Sequence, residues 1–235
     1  MLFGDYDSTH KNSIWRGMRF PNNDIPSFWE SKVGIVSGVL FQRYKECGRN
    51  KVFFLTKTIP VGISFGCHAC LPLLGAAVFV RKYGVWQVES QNKFLMYEGE
   101  YGVSPVAKLI TIGESKFGLL LELEHRNGES LAKEVTLLVP YRDNIEIAHQ
   151  EIIYYDNFNS CGWSMPCAFF TAKLDFEESG QDPFYALIIK RIGTENDEAQ
   201  AYKAIPVSEK IFYHFVNGRY IKISNKGLPR IRYAS

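Results

Sequence analysis

Four of the five cysteines stand in two tight groups, Cys67-His68-Ala69-Cys70 and Cys161-Gly162-Trp163-Ser164-Met165-Pro166-Cys167. Three kinds of sulfur chemistry suit them. Cys67 and Cys70 have the knuckle spacing of a structural zinc site, Cys161 and Cys167 would complete four thiolates, and His68 could replace one of them. The Cys161–Cys167 spacing is longer than the about two to four intervening residues usual in such a pair. Disulfides are the second option, within each group or across the two, with Cys47 left over and an oxidising compartment required. The third is a redox pair, which needs Cys-x-x-Cys to open a helix whose N-terminus lowers the first thiol's pKa. Leu71-Pro72 follows directly and the surroundings read as strands, which opposes it. Haem attachment needs histidine directly after the second cysteine, where this chain has Leu71. Disulfides are favoured, with zinc on Cys67, Cys70, Cys161 and Cys167 as the alternative and otherwise no cofactor.

The remaining reactive side chains form no recognisable catalytic set. The histidines are His10, His68, His125, His149 and His214. His125 and His149 continue the alternation of apolar strands and read as strand-end core or rim residues. A Cys–His nucleophile pair of Cys161 with His149 or His125 would require spatial adjacency. Asp5, Asp7, Asp24 and Glu30 are spaced like a solvated surface rather than a calcium loop. Gly113-Glu114-Ser115 lacks the Gly-x-Ser-x-Gly elbow. Neither a Walker loop nor Gly-x-Gly-x-x-Gly is present.

Hairpins must position these residues. Val33–Tyr44 and Lys51–Ile59 flank a turn at Glu46–Asn50, and Ala76–Arg81 and Val85–Glu89 flank Lys82-Tyr83-Gly84. Lys108–Ile112 pairs with Phe117–His125, Lys133–Val139 with Ile145–Ile153, and Lys210–Val216 with Arg219–Ser224 across Asn217-Gly218, the strongest short hairpin signal in the chain. Phe117, Leu119, Leu121 and Leu123 share one face, as do Val135, Leu137, Val139 and Tyr141, which suits a sheet wet on one side. No amphipathic helical stretch of about 12 residues stands out, so βαβ units are not expected. A short helix near Pro26–Lys32 is compatible with proline in a first turn. The break at Glu177–Pro183 reads as a loop, because the last hairpins alone would struggle to form a core. The expected fold is all-β: a meander of antiparallel hairpins forming a barrel or sandwich. An irregular segment, residues 1–32, packs on a single β domain of residues 33–235.

Composition agrees. The 235 residues are 46% hydrophobic, with Phe 17, Tyr 13 and Trp 4, types that favour pleated, half-buried surfaces. With 27 basic and 25 acidic side chains the net charge is +2, which argues against nucleic acid as the main partner. The basic end (Arg219, Lys222, Lys226, Arg230, Arg232, with Tyr220 and Tyr233) reads as a solvated edge strand and tail. No apolar run reaches the about 18 residues of a transmembrane helix; Leu71–Val80 is shorter and holds Pro72. Residues 1–7 show no basic region followed by an apolar stretch, so no secretory signal is expected, and a native start at Met1 would favour the cytoplasm.

Phe53–Pro60, Gly66–Phe79 with its Cys-His-Ala-Cys-Leu-Pro-Leu-Leu-Gly-Ala run, and Val85-Trp86-Gln87-Val88-Glu89 together resemble a group of uncharacterised bacterial proteins. These carry a Cys-His-Ala-Cys-x-Pro-Leu-x-Gly-Ala segment before a hairpin ending in a Trp-rich strand. The likeness covers residues 53–89 well and the following hairpins loosely. Many such proteins are exported, so the resemblance implies a bacterial source, an exported or periplasmic location and disulfides. It carries no activity.

Two functions follow as expectations. The leading one is a non-catalytic binding protein, an inhibitor or immunity-type partner of another protein, since a rigid β scaffold can present loops or an edge strand. The stretches Ser90–Pro105 and Asp156–Pro166 read as long loops whose Tyr97, Tyr101, Phe158 and Trp163 would anchor the partner. The second is a zinc protein or Cys/His enzyme centred on the cysteine groups.

Overall fold

The computed structural model describes residues 5–18, 32–62, 71–159, 161–162, 166–178, 180, 182–197 and 203–223. Among the described residues fourteen strands follow one another: β1 (Asp5–Asp7), β2 (Asn12–Arg16), β3 (Val33–Glu46), β4 (Arg49–Pro60), β5 (Leu73–Lys82), β6 (Val85–Tyr97), β7 (Val106–Gly113), β8 (Lys116–Asn127), β9 (Ser130–Tyr141), β10 (Asn144–Asp156), β11 (Phe169–Glu177), β12 (Ala186–Asp197), β13 (Lys203–Val216) and β14 (Arg219–Lys222). No helix occurs among the described residues, and none is long and apolar enough to cross a membrane. The strands form two antiparallel sheets, in the orders β1-β2-β3-β4-β5-β6 and β14-β13-β12-β11-β10-β9-β8-β7. Neither closes into a barrel.

Tight turns explain the meander. Cys47-Gly48, Tyr83-Gly84 and Asn217-Gly218 each place two successive residues at positive φ, the type I′ geometry whose twist matches that of paired strands. Tyr83 adopts it at φ 52° although a bulky side chain there is disfavoured.

The chain forms two compact units, the first of residues 1–110, 117–123 and 137–147, the second of 111–116, 124–136 and 148–235. In the first, strand alternation builds a sandwich core. Phe53 and Leu55 of β4, Leu74, Ala76 and Val78 of β5 and Leu95 of β6 meet Leu119 and Leu121 of β8, Leu138 of β9 and Ile145 of β10. Burying each large member stabilises by about 2 kcal/mol. Lys51 sits on the same face of β4 and is bound by Glu46 and by Glu89, the latter at 2.5 Å. Beside them Tyr44 packs on Phe117 with centroids 5.0 Å apart, and burial drives its phenol far above the ordinary tyrosine value.

In the second unit Phe170, Leu187, Ile188, Ile189, Phe215 and Tyr220 are buried. Phe184 stacks on Phe215 at 3.9 Å, and the Tyr220 hydroxyl donates to the Tyr185 carbonyl at 3.2 Å. At Gly193, φ is +147° and an added Cβ would lie 2.1 Å from the Phe169 carbonyl oxygen, so β11 and β12 approach too closely there for any side chain.

Several local expectations differ. Within residues 1–32, Asp5–Asp7 and Asn12–Arg16 are strands that extend the first sheet beyond β3. The stretch Ser90–Tyr97 continues β6 rather than forming a loop. In β9 the run Val135–Val139 is buried on both faces, not wet on one. The Pro26–Lys32 helix lies, except for Lys32, outside the described residues.

Candidate binding groove

Irregularities in β3 and β6 of the first sheet decide which side chains face away from the core. In β3, Gly38 pairs with Thr56 and Leu40 with Leu55, so one extra residue, Val39, intervenes. Before this bulge Val36 and Gly38 lie on the outer face. After it the phase inverts: Leu40 and Tyr44 join the core and Phe41 turns outward. In β6 the register shifts twice, between the partners of Leu74 and Ala76 and between those of Val78 and Phe79. The Asn92 side chain holds the first shift, its Oδ1 accepting from the Phe94 N–H at 3.0 Å and its Nδ2 donating to the Ile145 carbonyl at 3.3 Å.

The result is a concave outer face with a groove of about 720 Å³ reached by all six strands, within the size range of ligand sites. Val36 and Gly38 of β3, Phe54 and Thr56 of β4, Phe79 of β5 and Trp86 and Val88 of β6 make the apolar floor. Tyr6, Lys11 and Asn12 of the β1–β2 hairpin form one wall, and Gln91 and Lys93 of β6 contribute to the other. Tyr6 is 60% exposed, Trp86 41% and Val88 44%, so the groove offers accessible apolar surface rather than a sealed void. The floor is rigid. Thr56 Oγ1 donates to the Gly75 carbonyl at 3.0 Å, and Phe54 is flanked by Phe41 at 6.2 Å and Phe79 at 6.5 Å, with interplanar angles of 69° and 50°. Gly38 leaves room for this packing: an added Cβ would lie 3.3 Å from the Phe54 ring, which would have to give by a few tenths of an ångström. The hairpin wall is pinned where Trp15 meets Phe94 at 4.9 Å beside the buried pair Met18 and Leu73.

The residues singled out from sequence are distributed differently. Tyr97 packs half-buried against Met18 and Leu73, and burial pushes its phenol up to about 12. Tyr101 is 46% exposed in the turn after β6, in the same unit as the groove but outside its lining. Phe158 belongs to the second unit, 57% exposed and stacked on Phe169 at 6.3 Å. Trp163, Cys67, His68 and Cys70 lie outside the described residues. Cys161 and Cys167 are joined as a disulfide, which leaves neither sulfur as a thiolate nucleophile or zinc ligand while it is intact. Cys47 is an exposed free thiol. The disulfide's loop is tethered by the buried Asn157, whose Nδ2 donates to the Pro166 carbonyl at 3.1 Å and whose Oδ1 accepts from the Ala168 N–H at 2.6 Å. No group of three or more His, Cys, Asp or Glu side chains able to hold a metal occurs among the described residues.

Sequence reasoning missed the Lys51 cluster described above and a second charged cluster. In the second unit Arg191 of β12 is bound by Glu151, by Glu195 at 2.5 Å and by Glu209 at 3.5 Å, and its guanidinium lies 4.9 Å from the Phe170 ring centre. His149 Nε2 is 3.4 Å from Glu151, and its ring meets Tyr213 edge-on at 4.7 Å. Burial alone would raise the Glu151 carboxyl, but the neighbouring His149 ring and the Arg191 charge outweigh it and hold it below its ordinary value. The cluster ties β10, β12 and β13 together, and every described polar contact in it is internal. His125, 3.7 Å from Glu134, is a rim residue. The groove in the first unit is therefore the candidate site. No family model, curated protein or solved structure matches the chain.

Proposed function

We propose that the chain is a non-catalytic binding protein, an inhibitor or immunity-type partner of another protein, and that it recognises its partner through the groove of the six-stranded sheet. The observation that carries this reading is the exposed aromatic surface of Tyr6, Trp86 and Phe41 on a sheet face whose other side is a packed core. Accessible tryptophan and tyrosine on a pre-formed, strand-borne surface are what binding anchors require, because little side-chain entropy is lost on docking. The Cys161–Cys167 disulfide is in keeping with an oxidising compartment, and so with an exported bacterial protein. Tyr101 and Phe158 are accessible as additional contacts.

The test is affinity capture on the immobilised full chain from extracts and medium of the source cells, followed by calorimetry with the protein identified. Trp86→Ala and Tyr6→Ala are expected to weaken binding by roughly 10- to 100-fold. Loss on Tyr101→Ala or Phe158→Ala with Trp86→Ala unaffected would move recognition away from the groove. A turnover activity in the purified chain would end the non-catalytic reading.

A further inference from the structure

The lining of the groove specifies more than a generic sticky surface. This step rests on the protein-binding reading and names the chemistry of the partner element. Two lysines contribute to the groove, Lys11 from the β1–β2 turn and Lys93 from β6, and no carboxylate is among the described lining residues. The two come from opposite ends of the strand order, with the apolar floor between them. Asp7, next to Tyr6 on the hairpin, is committed elsewhere. Asp7 accepts from the Thr9 and His10 backbone N–H groups at 2.8 Å and 3.2 Å and meets His10 Nδ1 at 2.6 Å, contacts that hold its carboxyl below the ordinary range. An ammonium group carries three donors, so a contact already made by Lys93 leaves capacity for a further carboxylate.

The floor discriminates between ligand shapes. In the lining the Phe54 ring is inclined by 50° to Phe79, and beside the lining by 69° to Phe41, so the floor is notched for apolar side chains rather than a flat platform for a sugar ring. Six strands spaced about 4.8 Å apart give a path of about 24 Å along the sheet, and at about 3.3 Å per residue this takes about seven residues of extended chain. Successive side chains of an extended segment point to opposite sides, so apolar residues could enter the notches while their neighbours reach the walls. We infer that the partner element seated in the groove is an extended acidic segment, with apolar or aromatic residues between its carboxylates, held by Lys11 and Lys93 and packed on Phe54, Phe79 and Trp86.

The experiment uses the full chain and three series of blocked synthetic heptapeptides alternating valine, leucine or tyrosine with glutamate, glutamine or lysine. Titration is followed by tryptophan fluorescence and calorimetry at low and at physiological salt. The glutamate series is expected to bind at least about tenfold more tightly than the glutamine series, with affinity falling as salt rises. Lys11→Glu combined with Lys93→Glu is expected to abolish that preference and admit the lysine series. Lys11→Glu alone, at an exposed turn position, should weaken glutamate binding in a chain whose melting curve is unchanged. Equal binding of the glutamate and glutamine series, or indifference to both lysine variants, would overturn the inference. So would Trp86-dependent binding of an oligogalacturonate with no peptide bound. A partner captured through Trp86 but indifferent to the lysines would leave the protein-binding reading standing and remove only the acidic segment. Acidic peptides that bind independently of Trp86 would remove the groove itself.

Discussion

Lys51 offers the sharpest test of how the first unit is held together. Its side chain is 10% exposed, and its partners Glu46 and Glu89 are 12% and 26% exposed, so all three groups are largely withdrawn from water. Burial by itself would lower the Lys51 pKa, but the hydrogen bonds and charges of the two glutamates outweigh it and hold the ammonium above its ordinary value. Replacing Lys51 by methionine keeps the packing volume and removes the charge, leaving two carboxylates facing each other with their cation gone. Breaking a buried pair from one side costs about 3–5 kcal/mol. The partial exposure of Glu89 places the expected loss near the lower end, about 3 kcal/mol at neutral pH. At roughly 2–4 °C per kcal/mol for a chain of this size, the melting midpoint should fall by about 6–12 °C. The triple variant Lys51→Met, Glu46→Gln, Glu89→Gln should recover most of it, since neutral groups of similar shape carry no desolvation penalty for charge. The pH dependence has a fixed sign. A lysine whose folded pKa is raised contributes fully below its unfolded value of about 10.4, and that contribution disappears as pH rises through the higher folded value. The gap between wild type and Lys51→Met should therefore stay constant from pH 6 to 9 (roughly) and close only in strong alkali. Urea titrations followed by tryptophan fluorescence measure it. A loss of less than about 1 kcal/mol, the range of surface pairs, would show that water reaches Lys51 and would refute the reasoning.

Three further outcomes are expected. Reducing the Cys161–Cys167 disulfide, or changing both residues to serine, should cost about 2 kcal/mol, because the closed loop is short and its entropy term correspondingly small; melting with and without reductant reads this. Gly38→Val should weaken ligand binding and cost about 1–3 kcal/mol, since the new side chain must displace the Phe54 ring; unchanged calorimetric titrations would separate Gly38 from the groove. Glu151→Gln should destabilise the second unit at neutral pH, and because the folded carboxyl is held below its unfolded value of about 4.3, the difference should persist above that value and vanish as pH falls through the folded one. Denaturation series in acid, comparing wild type with the variant, test that sign.

Most strands announced themselves because the local signals agreed. Asn217-Gly218 sits in the turn geometry its residue types prefer, and the Leu119 and Leu121 alternation ends in the core. β11 and β12 were not legible, since Ala186–Ile189 is a continuous buried run without a period of two, and the polar break before it drew attention to a loop. The groove was hidden for a different reason. Val39 and the irregularities of β6 shift the phase within a strand, so Phe41 and Trp86 fall on the outer face only once pairing partners are known. The ion clusters were equally silent, because Glu151 and Arg191 are far apart in sequence and meet across an intervening strand. The cysteine spacing suggested disulfides and left their pairing open, Cys161–Cys167 being one of the possible links, and it gave no sign of the candidate groove, which is lined by ordinary aromatic strand residues.

The strict succession of strands in both sheets bears on how the chain acquires its structure. Each strand's hydrogen-bonding neighbour is the one made just before or just after it, so no strand must wait for a distant partner to be synthesised. Several closures span only a two-residue turn and the longest, between β2 and β3, spans residues 17–32, which keeps the entropic barrier low for a chain whose described elements are all strands. Assembly can therefore advance hairpin by hairpin from the amino end while later residues are still on the ribosome. The edge exposed at any moment is the template for the very next strand, which limits the time it stands open to pairing with another chain.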